Sequence, residues 1–182
     1  MLLVDKLHNY FEEEFELSDM DSKKLRYSLE FIYNDLSKTL LLFIFFTILD
    51  FTLDFIYLSI IIFTIRIFTG GLHFKTYSGC LLFSLLFFVS AIYLKSNFIL
   101  TDVIIVFMYI FSLVTFIGLA PISSKTRPKY SKSKRRKFKI LSILVITIYF
   151  VLNLYSNTDP YLIYGIWAMA LQSLQIIIAK GV

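Results

Sequence analysis

The chain has 182 residues, of which 58% are hydrophobic and 18% aromatic, and its formal net charge is +5. Apolar runs such as LLFIFFTILDF (41–51) and DVIIVFMYIFSLVTFIGLA (102–120) are too extensive for the core of one soluble domain of this size, which excludes a soluble globular protein. The single cysteine, Cys80, excludes an intramolecular disulfide. An integral membrane protein is therefore expected.

Residues 1–37 are predicted to form an amphipathic helical region on the cytoplasmic surface of the membrane. Apolar side chains recur there at helical spacing opposite a run of glutamates. The apolar ones are Leu3, Leu7, Tyr10 or Phe11, and Phe15, and the glutamates are Glu12, Glu13, Glu14 and Glu16. A second amphipathic stretch has Leu25, Leu29 and Leu36 on one face. Because His8 lies on the polar terminal helix, we expect it to be solvated.

Residues 38–182 are predicted to form a polytopic membrane domain, so the fold class is an all-α integral membrane protein with about six transmembrane or re-entrant helical segments. Apolar segments occupy roughly 39–65, 81–94, 98–120, 140–154 and 161–179. The first is ambiguous, because it fits either one tilted span of about 40 Å or two short helices that turn at DFTLD, residues 50–54.

The distribution of positive charge favours the pair of helices. Nine of the eighteen Lys and Arg residues lie in 125–139, and a basic loop such as 121–139 stays on the cytoplasmic side. Two passes through 39–65 place both this loop and the 66–80 segment in the cytoplasm. We read the charge as a topology signal and a contact for anionic lipid headgroups or an acidic peptide; no nucleic acid is expected.

This topology makes several of the apolar segments short. A run of 12–15 residues covers only about 18–23 Å of a hydrocarbon core of about 30 Å. The first hairpin and segments 81–94 and 140–154 are therefore expected either to re-enter the membrane or to lie in locally thinned bilayer.

The stretch RIFTGGLHFKTYSGC, residues 66–80, brings together the chemistry-bearing side chains of the chain. Cys80 is the candidate nucleophile, and His73 is the candidate base, since an imidazole can take the thiol proton and later return it to a leaving amine. On one straight helix these residues would be about 10.5 Å apart, so we expect the segment to bend. Gly70 and Gly71 allow a bend or a close approach to substrate.

Other interpretations of this stretch remain open. Cys80 and His73 are also compatible with inert packing, and a metal site is weakly supported because the pair supplies only two ligands, so no cofactor is expected. Arg66 either holds a carboxylate of the substrate or marks the cytoplasmic interface.

The motif resembles that of the accessory gene regulator protein B family, membrane cysteine endopeptidases of bacterial quorum sensing. The similarity rests on Arg66, Gly71, His73 and Cys80, and on Ala-Pro followed by the basic loop in APISSKTRPKYSKSKRRKFK, residues 120–139. It extends to the amphipathic first 36 residues and to a last apolar segment with a polar pair, Gln172 and Gln175.

The resemblance implies a mechanism, a partner and a location in the bacterial cell membrane. His73 would be the general base, and Cys80 the nucleophile that cleaves the C-terminal part of a precursor signal peptide and leaves an acyl-enzyme thioester. Attack by a thiol or hydroxyl of the same peptide would then close a thiolactone or lactone ring. The precursor would carry an amphipathic leader and an acidic tail, and a homodimer is implied.

The basic loop is the expected dock for the acidic tail. The residues expected to contribute are Lys129, Lys132, Lys134, Arg135 and Arg136. The alternative function is a small multipass component for peptide transport or export, in which Cys80 packs and His73 lines a path; this alternative predicts that Cys80→Ser leaves function intact. A structural scaffold would tolerate changes at His73 as well.

Overall fold

A computed structural model describes residues 2–72, 74, 76–122, 130–155 and 161–181. Seven α-helices and no strands occur in these ranges: α1 (Leu2–Glu14), α2 (Asp19–Ile48), α3 (Thr52–Thr69), α4 (Tyr77–Asn97), α5 (Asp102–Leu119), α6 (Lys132–Tyr155) and α7 (Ile163–Gly181). Packing divides the chain into two units, Met1–Asp50 and Phe51–Val182. The division at residue 37 that the sequence predicts concerns where the membrane begins, and it stays a prediction.

Six of the described helices, α2 to α7, are long and apolar enough to cross a membrane. This confirms the predicted all-α membrane fold with about six segments. The segments expected to be short are not short, because α4 has 21 residues and α6 has 24. Polar and basic residues at their ends continue the helices beyond the apolar runs, to lengths of about 31 and 36 Å.

The ambiguous segment 39–65 contains two helices, as the charge distribution favours. Helix α2 ends at Ile48, and α3 begins at Thr52. Between them Asp50 adopts a positive φ of 63°, a conformation that aspartate tolerates better than most residues. The helix therefore stops within an apolar run, at the aspartate that the sequence singles out.

In the first unit, α1 and α2 are joined by a buried polar cluster. Ser22 Oγ donates a hydrogen bond of 2.7 Å to Glu12 Oε1 and lies 3.0 Å from His8 Nε2. The same imidazole nitrogen is 3.2 Å from the Ser22 carbonyl oxygen. The expectation that His8 is solvated is wrong: its exposed fraction is only 7%, because the side chain fills the interface between the two helices.

In the second unit, α7 is the central helix. It packs against α3, α4, α5 and α6. In its apolar 18-residue stretch 56% of the residues are buried, whereas the corresponding share is 17–33% for those four helices. The polar side chains of α7 therefore face protein on most sides.

Successive helices of the second unit run in alternating directions, which gives it two ends. At one end Tyr164 donates to Asp54 Oδ1 at 2.7 Å, and the Lys95 ammonium lies 5.1 Å from the centre of the Tyr164 ring. At the other end α3 finishes, α4 begins with Cys80 in its first turn, and α6 begins with its basic residues. We call this second end the Cys80 end.

The cluster around His8 yields a stability prediction. Replacing Ser22 with alanine removes the hydroxyl that links Glu12 to the imidazole, so we expect the opening free energy of α1 from α2 to fall by about 1 kcal/mol. Hydrogen exchange of the α1 amides should accelerate about fivefold. Ser28→Ala is the matched control, since the Ser28 hydroxyl is exposed and bonds only within α2, to the Lys24 carbonyl. Equal exchange rates in the two variants would contradict the prediction.

Candidate active site

The 66–80 stretch is bent, as the separation of its reactive residues predicts. Helix α3 ends at Thr69, and Gly70 turns the chain with a φ of 72°. A Cβ at Gly70 would lie 2.1 Å from the carbonyl oxygen of Ile122, which is far inside van der Waals contact. Glycine is required here for the positive φ and for the close approach of the two backbones.

The turn after α3 is bound to the segment that follows α5. The Ile122 amide donates to the Thr69 carbonyl oxygen at 2.9 Å. Both residues lie at the Cys80 end, where α3 and α5 both finish. The chain before the basic loop and the chain before the reactive residues are therefore held together by their backbones.

Helix α7 contributes one glutamine to the same turn. Gln172 is fully buried, and its Nε2 donates to the Gly70 carbonyl oxygen at 2.7 Å and to Thr69 Oγ1 at 3.1 Å. The sequence marks Gln172 only as half of a polar pair in an apolar helix. Its contact to the turn could not be inferred without knowing which helices pack together.

Arg66 folds back over the turn that follows its own helix. Its guanidinium donates to the Leu72 carbonyl oxygen at 2.8 Å, and a Cβ at Gly71 would lie 2.9 Å from Arg66 Nε. Gly71 therefore makes room for the arginine. The sequence predicts that Gly70, Gly71 and Arg66 bind substrate. The contacts described here for these three residues are made within the chain. A substrate contact for them stays a prediction.

Cys80 lies in the first turn of α4 and is partly exposed. Thr76 is the N-cap of this helix, and its Oγ1 accepts a hydrogen bond of 3.2 Å from the Gly79 amide. The Cys80 amide donates to the Thr76 carbonyl oxygen at 3.2 Å. A threonine followed by helix-compatible residues is typical of an N-cap, so the local sequence explains why α4 begins just before the cysteine.

His73 lies outside the described residues, and so does Lys129. The pairing of His73 with Cys80 therefore stays a prediction. Within the described ranges, no three His, Cys, Asp or Glu side chains lie together in a way that could hold a metal ion.

The basic residues at the start of α6 fall into two sets. Lys132, Arg135 and Arg136 are exposed, and the first and last of them line an open groove together with Ile140 and Leu141. Lys134 is exposed as well, but it also lies 5.3 Å from the centre of the Tyr130 ring. We call the exposed trio Lys132, Arg135 and Arg136 the basic face.

The start of α6 is fixed against its neighbours. The Phe138 ring lies 6.1 Å from the Phe68 ring of α3, and Lys139 Nζ donates to the Ile117 carbonyl oxygen of α5 at 2.5 Å. The basic face and the Cys80 helix therefore occupy the same end of the second unit, as the predicted topology requires.

Comparison with known proteins assigns the chain to a family. The family model described as accessory gene regulator B matches residues 4–176, nearly the whole chain. The chain belongs to the accessory gene regulator B family. A putative AgrB-like protein of Clostridium beijerinckii is 35% identical over 180 residues, covering 95% of this chain and 87% of that protein.

More distant members of the family are also similar. The accessory gene regulator protein B of Staphylococcus aureus strains MRSA252 and MW2 is 22% identical over 158 residues in each case, which covers 87% of this chain and 83% of those proteins. No solved structure matches the chain.

The close approach at Gly70 yields a second stability prediction. We expect Gly70→Ala to lower the free energy of unfolding by about 3 kcal/mol, because the methyl group would meet the Ile122 carbonyl and the φ is strained for alanine. Gly118→Ala in α5 is the matched control, since apart from the backbone of its own helix no atom of the described residues lies within 4 Å of the position of its added Cβ. Thermal unfolding followed by size-exclusion chromatography would measure the stability of both variants. Equal midpoints for the two would contradict the requirement for glycine at position 70.

Proposed function

We propose that the chain is a membrane cysteine endopeptidase that cleaves a quorum-sensing precursor peptide and cyclises it. The observation that carries the proposal is the position of Cys80, the sole cysteine of the chain. It is partly exposed in the first turn of a helix, eight residues after a turn that is bound by three parts of the chain. The first turn of a helix favours a nearby negative charge, which suits a thiolate. Family membership supports a role in accessory gene regulation.

The first chemical step would be acyl transfer to the cysteine. His73 takes the thiol proton, and the Cys80 sulfur attacks the carbonyl carbon of the scissile peptide bond. The C–N bond then breaks, His73 gives the proton to the departing amine, and the C-terminal fragment leaves. The N-terminal part of the precursor remains bound to Cys80 as a thioester.

The second step would release a cyclic product. A thiol or hydroxyl within the bound peptide attacks the thioester carbonyl, and Cys80 departs as a thiolate and recovers a proton. This step competes with hydrolysis, so it needs a site that holds the peptide's own nucleophile close and keeps water away. Neither step requires an oxidant, a metal or a cofactor.

The basic face would bind the acidic tail of the precursor. It lies at the Cys80 end of the second unit, so one extended peptide can reach both places. Positive charge at this end also favours the cytoplasmic side of the membrane, where a newly made precursor is available. Lys134 and Lys129 would add to the same positive field, and anionic lipid headgroups would compete for it.

Co-expression with a tagged precursor peptide tests the chemistry. We expect the wild type to yield a truncated precursor and a thioester-linked adduct by mass spectrometry, and we expect Cys80→Ala and His73→Ala to abolish both. Cys80→Ser is the closest variant in size, and a peptide transporter would tolerate it. Uncut precursor in the wild-type culture, or normal processing by Cys80→Ser, would overturn the proposal.

Neutralisation of the basic face tests the docking of the tail. We expect the triple variant Lys132→Gln, Arg135→Gln and Arg136→Gln to lower processing roughly tenfold at about 50 mM salt and much less at about 500 mM, because salt screens exposed charges. The control is Lys6→Gln, Lys23→Gln and Lys24→Gln, which removes the same charge from exposed positions in α1 and α2. Equal losses in both triple variants would show a net-charge effect and contradict the docking site.

A further inference from the structure

Two side chains from different helices hold the carbonyl groups on either side of Gly71. Gln172 of α7 donates to the Gly70 carbonyl oxygen at 2.7 Å, and Arg66 of α3 donates to the Leu72 carbonyl oxygen at 2.8 Å. The residue after Leu72 is His73. We propose that Arg66 and Gln172 are positioning residues that fix the Gly70–Leu72 turn and so set the orientation of the base; this inference rests on the proposed function.

The turn needs such support because its own residues impose little conformation. Two consecutive glycines leave the backbone with wide freedom, and a single change of ψ there would redirect the chain that follows. Two carbonyl groups held by side chains of separate helices remove that freedom. Effective proton transfer demands a base held close to its partner, within hydrogen-bond reach, so a small rotation of the turn would matter.

Gln172 is distinguished from the other glutamine of α7 by its contacts. Gln175 lies one helical turn further along and is 2% exposed, but neither polar atom of its amide has a hydrogen-bond partner among the described residues. The amide of Gln172 donates twice, both times to the turn. The two glutamines therefore form a matched pair, of which only one reaches the turn.

This role differs from the carboxylate-binding role that the sequence suggests for Arg66. An arginine that binds a substrate carboxylate affects the enzyme only when the substrate is present. An arginine that positions the turn affects the reactivity of Cys80 without any substrate. Gln172 is uncharged and lies on another helix, so a shared effect of both residues cannot come from charge alone.

The experiment measures alkylation of Cys80 by iodoacetamide against pH in the full chain, reconstituted in lipid nanodiscs. The reagent is small and neutral, and every adduct reports on Cys80 because no other cysteine exists. At about pH 6 an unassisted thiol is almost wholly protonated, so the rate there reports help from the base, whereas at about pH 9 the thiolate forms without help. The variants are Arg66→Met, Gln172→Met, their double, Gln175→Met and His73→Ala.

We expect Arg66→Met and Gln172→Met each to lower the rate at the acidic pH about tenfold, as His73→Ala does, and to leave the alkaline rate within about twofold of wild type. The double variant should lose little more than either single variant, because both act through one turn. Gln175→Met should match wild type at both pH values. Elution as a single symmetrical peak in size-exclusion chromatography, at the wild-type volume, shows that a variant is folded. If Gln172→Met fails this check, Gln172→Asn, whose amide is one methylene shorter, carries the same expectation.

Three outcomes overturn the inference and remain distinguishable. If Gln172→Met lowers the thermal midpoint but keeps the wild-type pH profile, its role is structural only. If Gln172→Met and Gln175→Met change the profile equally, the effect comes from altering α7 and not from the turn. If His73→Ala also keeps the wild-type profile, the base assignment fails, and the proposed function fails with it.

Discussion

The organisation of the second unit depends on the contact between the backbones at Gly70 and Ile122. Only a hydrogen atom fits between them, so α3 and α5 end at a fixed separation. In an apolar surrounding each carbonyl at such a contact needs a donor, because water is not available to supply one. Donors from three parts of the chain serve the carbonyl oxygens on the α3 side of this contact. The Ile122 amide donates to Thr69, the Gln172 amide to Gly70, and the Arg66 guanidinium to Leu72.

In this arrangement the turn before α4 is held in place, whereas the start of α4 and the start of α6 are accessible. The turn is partly buried and is bound by three parts of the chain, whereas Cys80 lies on the next helix, partly exposed and close to the Thr76 N-cap. The basic face is also exposed, although Phe138 and Lys139 fix the start of its helix against α3 and α5. Fixed supports behind accessible reactive groups are what an enzyme that handles a flexible peptide requires.

Much of the fold followed from the sequence, but the supports of the site did not. The break near Asp50 and the common end of Cys80 and the basic residues were predictable, because helix length and the placement of lysine and arginine are properties of the chain itself. The lengths of α4 and α6 were underestimated, since polar residues continue a helix when neighbours or headgroups accommodate them. The burial of His8 and the contacts of Gln172 depend on which helices pack together, which hydrophobic periodicity does not specify.

The central position of α7 bears on how the protein is made. Gln172 reaches a carbonyl group 102 residues earlier in the chain, so this hydrogen bond cannot form when α3 to α5 first enter the membrane. During synthesis the Gly70 carbonyl oxygen receives its donor only after the last described helix has been made. Until then the chain ahead of Cys80 is held only by Arg66 and by the Ile122 amide. While the chain is still bound to the ribosome, the turn ahead of Cys80 would therefore lack the hydrogen bond from Gln172. The turn would reach its final structure only when α7 packs into the bundle.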